Sequence, residues 1–239
     1  MKKIASFLKG FILFLRPGTW LGFLARPLQW CSNVIRLSRW IASNPVDGLN
    51  DFYSPFRDYA KRYQLYQYLV QQEDLKETAI DYVELGVSMG LSFQWWVKHN
   101  THVDSRFYGF DTFEGLPEKW GLYDRGAMSA SIPQVEGTRH EFVKGLFQET
   151  LPGFLKTGKL SEPKKKIIHL DADLFSATLY GLTSLHPYLR PGDILIFDEF
   201  SVPLHEFKAF MDYMESYYVK YKVLAAVNNY FQVAVKIGG

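Results

Sequence analysis

The sequence predicts an α/β fold: a seven-stranded, mostly parallel sheet with helices on both faces, a terminal antiparallel hairpin and a helical N-terminal extension. Three observations carry that expectation. From Ala79 onward, short apolar runs alternate with helix-like stretches, the pattern of parallel strands joined by helical crossovers. Near the end, Lys222 to Ala226 and Phe231 to Ile237 are apolar-rich runs separated only by a short polar turn around Asn228-Asn229. That spacing is too short for a crossover, so the two runs should pair antiparallel. The first 50 residues follow a different pattern, with apolar residues at helical spacing and no acidic residue before Asp47.

The elements follow in order. Residues 1–50 read as a basic extension and 51–239 as the sheet domain. Ile4, Phe7, Leu8, Phe11, Ile12 and Leu15 fall on one helix face, Pro17 ends the run, and Lys2, Lys3, Lys9, Arg16, Arg26, Arg36 and Arg39 supply charge. Lys9 interrupts the apolar run and no A-x-A site follows, which argues against a cleaved signal peptide. The uninterrupted apolar stretches fall short of the roughly 18 residues a spanning helix needs. Two readings stay open: residues 1–45 lie on a membrane surface, or they pack on the core or on a second subunit. A helix is expected from about Phe52 to Glu77, with Tyr63, Tyr66, Leu69 and Val70 as its apolar stripe. Five strands are then expected at Ala79 to Leu85, Arg106 to Phe110, Glu141 to Val143, Ile167 to Leu170 and Ile194 to Phe197. The Gly-, Ser- and Pro-rich stretch from Thr112 to Arg139 is long enough to form a lid.

Composition narrows the classes. A 47% hydrophobic and 17% aromatic chain of 239 residues can bury a large core. A formal charge of +2 gives no reason to expect nucleic acid as partner. The single cysteine, Cys31, excludes an internal disulfide and a multi-cysteine zinc site, and fits a reducing, cytoplasmic setting.

Acids at the ends of apolar strands carry the chemistry. In Tyr82-Val83-Glu84-Leu85-Gly86-Val87-Ser88-Met89-Gly90 a strand delivers Glu84, and two glycines then let the backbone turn under a ligand. The glycine spacing differs from the G-x-G-x-x-G of a dinucleotide cradle and argues against NAD. It suits S-adenosylmethionine, whose amino and carboxylate groups need backbone groups and a nearby acid; Glu84, Gly86 and Ser88 are assigned to it. Asp111, at the end of the second strand, can accept hydrogen bonds from both ribose hydroxyls, and Thr112 follows it. Asp171 closes the fourth strand, and Asp198 and Glu199 close the fifth. In the expected strand order these three converge beside the cofactor, where they would repel one another unless a cation joined them. A hard ion such as Mg²⁺ takes oxygen ligands, and Asp171 is placed to act as general base. The plainer alternative is that such acids cap the following helices, a role that suits Asp173 best. His169 reads as a core residue, while His205, Glu206, His140, Trp120 and Tyr123 are weaker candidates around the acceptor.

Three segments together resemble the macrocin O-methyltransferase family, which acts on sugars of macrolide antibiotics. They are Val83-Glu84-Leu85-Gly86, Gly109-Phe110-Asp111-Thr112-Phe113-Glu114-Gly115-Leu116-Pro117, and His169-Leu170-Asp171-Ala172-Asp173-Leu174-Phe175 with Phe197-Asp198-Glu199-Phe200. A further echo, Lys144 to Pro152, places Phe147 on the adenine side by resemblance. The resemblance implies a Rossmann-like, Mg²⁺-dependent O-methyltransferase with a sugar-like or glycan-like acceptor. It implies Asp171, Asp198 and Glu199 as metal ligands and Asp171 as base. Phe200, where the family has tyrosine, and Val202 to Glu206 depart from the pattern on the acceptor side. The expected protein is thus an S-adenosylmethionine-dependent enzyme, with a homo-oligomer and peripheral membrane contact as further expectations. Its rival is an inactive, cofactor-binding or membrane-associated scaffold of the same fold.

Overall fold

A computed structural model describes residues 2–238 of the chain. Three N-terminal helices, α1 (Lys2–Phe14), α2 (Gly18–Leu21) and α3 (Ala25–Ser43), precede α4 (Lys61–Gln72). The sheet domain then runs β1 (Ile80–Leu85), α5 (Leu91–His99), β2 (Arg106–Asp111), β3 (His140–Lys144), α6 (Phe147–Lys156) and β4 (Lys165–Leu170). It ends with α7 (Phe175–Leu185), β5 (Ile194–Phe197), α8 (Glu206–Ser216), β6 (Tyr221–Val227) and β7 (Gln232–Ile237). The seven strands are ordered β3-β2-β1-β4-β5-β7-β6, as a parallel set closed by the antiparallel β6–β7 hairpin.

Alternation along the strands builds two cores. On β1, Ile80 and Tyr82 face one layer with α4 and α5, while Val83 and Leu85 face the other with α6, α7 and α8. All six residues of β1 are buried, as a central strand covered on both faces requires. The hairpin turns through Asn228, Asn229 and Tyr230, all with positive φ. Asn and short turns favour that conformation because local hydrogen bonds offset its steric cost.

One expectation needs correcting. The helix expected from Phe52 begins only at Lys61 and ends at Gln72. Residues 50–60 instead run alongside the terminal hairpin, where Asn228 and Asn229 accept hydrogen bonds from the Asp58 and Ser54 amides at 2.9 and 2.7 Å. Pro55 and this side-chain capture compete with helix formation. Of the two readings left open for the N-terminal extension, packing on the core applies to its last turns. The last turns of α3 enter the core through Leu37 and Trp40, and the Trp40 indole donates to the Tyr221 hydroxyl at 2.7 Å. Among the described residues no single helix is long and apolar enough to cross a membrane.

Candidate active site

Strand register builds the site. Leu85 pairs with Phe110 on one side and with Leu170 on the other, and Leu170 pairs with Phe197. The next residue on each strand, Gly86, Asp111, Asp171 and Asp198, therefore emerges from one row of the sheet. Backbone bonds continue that row: the amides of Gly86, Asp171 and Asp198 donate to Phe110, Leu85 and Leu170 at 2.9, 2.9 and 3.0 Å. Strand order reverses between β1 and β4, the position where open α/β sheets bind ligands. A cavity of about 550 Å³ opens there, and all the residues assigned from the sequence line it: Glu84, Gly86, Ser88, Asp111, Thr112, Phe147, Asp171, Asp198 and Glu199.

Gly86 is required by packing. Its φ is +96°, and a Cβ would stand 1.8 Å from the Asp171 carbonyl oxygen, so the turn and β4 touch backbone to backbone. Asp111 clips this turn in place. One carboxylate oxygen accepts from the Val87 and Ser88 amides, both at 2.8 Å, and the other from Phe113 at 2.7 Å. The oxygen that accepts only from Phe113 keeps a second lone-pair direction, so the clip leaves acceptor capacity for a ligand hydroxyl. Thr112 closes the next turn onto the Gly115 carbonyl at 2.9 Å.

Glu84 ends a buried polar chain. The Tyr82 hydroxyl donates to its carboxylate at 2.5 Å, which leaves the Tyr82 oxygen to accept from His169 Nδ1 at 2.8 Å. His169 Nε2 meets the Tyr66 hydroxyl at 3.3 Å, and Tyr66 meets Ser92 Oγ at 3.2 Å. Burial, followed for Tyr82 by the charge of Glu84, raises both phenols well above their usual range, so both remain donors. His169 is thus a core residue that orders the acid above it.

The acids of β4 and β5 meet an arginine that sequence reasoning missed. Arg62, on α4, stands 3.0 Å from Asp198 and 3.9 Å from Asp171. Burial disfavours its charge, but Asp198 and then other neighbours outweigh that and raise its pKa. Its position one turn before Tyr66, on the buried stripe of α4, was the available signal. Burial, then the charges of Asp198 and Asp173, pushes Asp171 well above the carboxylate range, with Arg62 opposing. Burial, then the charges of Asp198 and Asp111, raises Asp173 to about 6, and burial, then Asp173 and Asp198, raises Glu199 to about 8. Glu206, also missed as a structural partner, is fully buried and accepts the Glu199 amide at 2.8 Å.

This donor set fits a hard cation. Asp171, Asp173, Asp198 and Glu199 share one cavity, and Glu199 Oε2 is buried without a hydrogen-bond partner. Ligand atoms of Asp171, Asp198 and His169 lie within 4.8 Å of one another, whereas Glu199 stands outside that tight group. Asp173 does not cap α7: Leu174 occupies the N-cap with no side-chain bond, and Asp173 lines the cavity. The stretch after Thr112 covers the pocket through Leu116, Trp120, Tyr123 and Met128, with Trp120 and Tyr123 stacked at 5.5 Å. His205 stands 6.2 Å from Trp120, while His140 packs against Phe93 at the opposite end of β3.

Comparison with known proteins agrees with this architecture. Residues 83–200 match the family described as a methyltransferase domain. The tetracenomycin-type rhamnosyl 4′-O-methyltransferase of Streptomyces olivaceus is 30% identical over 165 residues, 59% of this chain; the match spans 61% of that relative's length. Among solved structures, CalS11, a calicheamicin methyltransferase, superposes with a TM-score of 0.57 at 18% identity, covering 87% of this chain and 93% of its own. The O-methyltransferase NovP gives 0.53 at 16% identity, covering 74% and 78%. Residues 83–200 thus match a methyltransferase-domain model, and the sheet shares the Rossmann-like fold of these solved structures, in keeping with the resemblance read from the motifs.

Proposed function

We propose that this protein is an S-adenosylmethionine-dependent O-methyltransferase acting on a hydroxyl of a sugar-like or glycan-like small molecule, with a divalent ion such as Mg²⁺ in the carboxylate cluster. The observation that carries the reading is the single row in which Gly86, Asp111, Asp171 and Asp198 leave the sheet beside one cavity. The sugar-like acceptor is supported by the rhamnosyl O-methyltransferase relative.

Glu84, ordered by Tyr82, faces the cofactor's amino end, and the Asp111 clip shapes the turn under its ribose. Ser88, Thr112 and Phe147 complete that wall, and Asp171, Asp198 and Glu199 would hold the ion. When bound, S-adenosylmethionine supplies an electrophilic methyl carbon and leaves as S-adenosylhomocysteine, while the ion polarises the acceptor hydroxyl. An Asp171 carboxylate oxygen takes the hydroxyl proton as the oxygen–carbon bond forms and the carbon–sulfur bond breaks. Arg62 balances charge between Asp171 and Asp198. Leu116, Trp120 and Tyr123 exclude water from the acceptor side.

Incubation with S-adenosylmethionine and a panel of rhamnosides, followed by mass spectrometry, tests the assignment. The expected product is one methyl heavier, and Asp171→Ala lowers turnover by about 10²–10⁴-fold while S-adenosylhomocysteine still binds. Full turnover by Asp171→Ala would remove the base from the mechanism.

A further inference from the structure

The N-terminal arm forms a surface that the pocket does not use. From Lys2 to Trp30 every residue is exposed except half-buried Pro17. Phe7, Phe14 and Phe23 are 72%, 79% and 74% exposed, far more apolar surface than a monomer in water ordinarily leaves open. The charge is equally one-sided. Seven of the 27 basic residues and none of the 25 acidic ones precede Asp47, so the rest of the chain is net acidic.

We propose that residues 2–30 dock this protein on the surface of an anionic phospholipid bilayer. The apolar stripe of α1, together with Trp20 and Phe23, enters the interface, and Lys2, Lys3, Lys9, Arg16 and Arg26 meet lipid phosphates. Charge complementarity selects this occupant. Two such arms packed together would oppose like charges with no acid between them, whereas an anionic surface neutralises all of them. Length selects the mode of contact. The 13 residues of α1 span about 20 Å, short of the roughly 30 Å hydrocarbon core; with the following helices the stretch is long and apolar enough, but a 56° bend breaks it as a straight span. The arm therefore lies in the interface plane.

The arm is also tied to the catalytic domain. Arg36 pairs with Glu215 at 3.0 Å, and the Trp40 ring packs 4.8 Å from Phe200, the residue after Glu199. Docking would thus hold the whole domain at the surface.

Co-sedimentation of the full chain with phosphatidylcholine–phosphatidylglycerol vesicles, and with pure phosphatidylcholine, tests this. The comparison variant is Phe7→Asp/Phe11→Asp/Phe14→Asp, whose positions touch no core and whose fold is checked by circular dichroism. The expected result is binding to the anionic vesicles that weakens about tenfold on neutral vesicles, in high salt or in the variant. A full chain that stays in the supernatant overturns the proposal, as does a variant that binds equally well. So does a lipid-free dimer that the variant converts to monomer, since the occupant would then be a second copy.

Discussion

Burial and like charge push Glu199 up to about 8 and Asp173 up to about 6, and this has a consequence for stability. In the unfolded chain both carboxyls lose their protons near the usual carboxylate range, so between there and about pH 8 the folded, metal-free protein holds more protons. Stability contributed by the protonated folded groups is present at low pH and is lost as pH rises through the folded values. Thermal unfolding in EDTA should therefore show a midpoint that falls from about pH 5 to about pH 8, with a shallower fall in Glu199→Gln. Added Mg²⁺ should lessen the fall, since a cation stabilises the ionised acids. A midpoint that rises over this window would mean the cluster is not proton-poised. Acids such as Asp171 and Asp198 were readable because each follows an apolar strand. Arg62 was missed although its place one turn before Tyr66 was visible, because its acid partners lie far along the chain and only the packing of α4 brings them together.

At the scale of elements, register governs the site. The backbone contact between the Gly86 turn and β4 ties the cofactor wall to the carboxylate wall. Gly86→Ala should lose about 1–3 kcal/mol to overpacking and a comparable amount to its positive φ. Denaturant unfolding measures the loss, and a change under about 0.5 kcal/mol would show that the two walls can part freely. The strands and the hairpin were legible because their apolar runs are bounded by acids, glycines and asparagines. The extent of α4 was not, since the captured segment before it shares the composition of a helix while its hydrogen bonds go to Asn228 and Asn229. Likewise the aromatic pattern of α3 did not disclose that Trp40 would sit against Phe200, Phe210 and Tyr230.

Across the whole molecule, one chain joins a deep pocket to an exposed, basic arm. The fold class could be read from the alternation of elements, because a parallel sheet covered on both faces imposes it on the sequence. The placement of the pocket followed from strand order, and Glu84, Asp111, Asp171, Asp198 and Glu199 all line that one cavity. The acceptor was less legible, since its wall is built from the segment after Thr112, whose loop aromatics carry no fixed spacing. The central claim is that this cavity takes S-adenosylmethionine. Calorimetric titration of the full chain with S-adenosylhomocysteine, with NAD as control, tests it most directly. Saturable one-site binding of S-adenosylhomocysteine, weakened in Asp111→Ala and absent for NAD, is the result expected. No heat from S-adenosylhomocysteine with or without Mg²⁺, or binding of NAD in its place, would contradict the account.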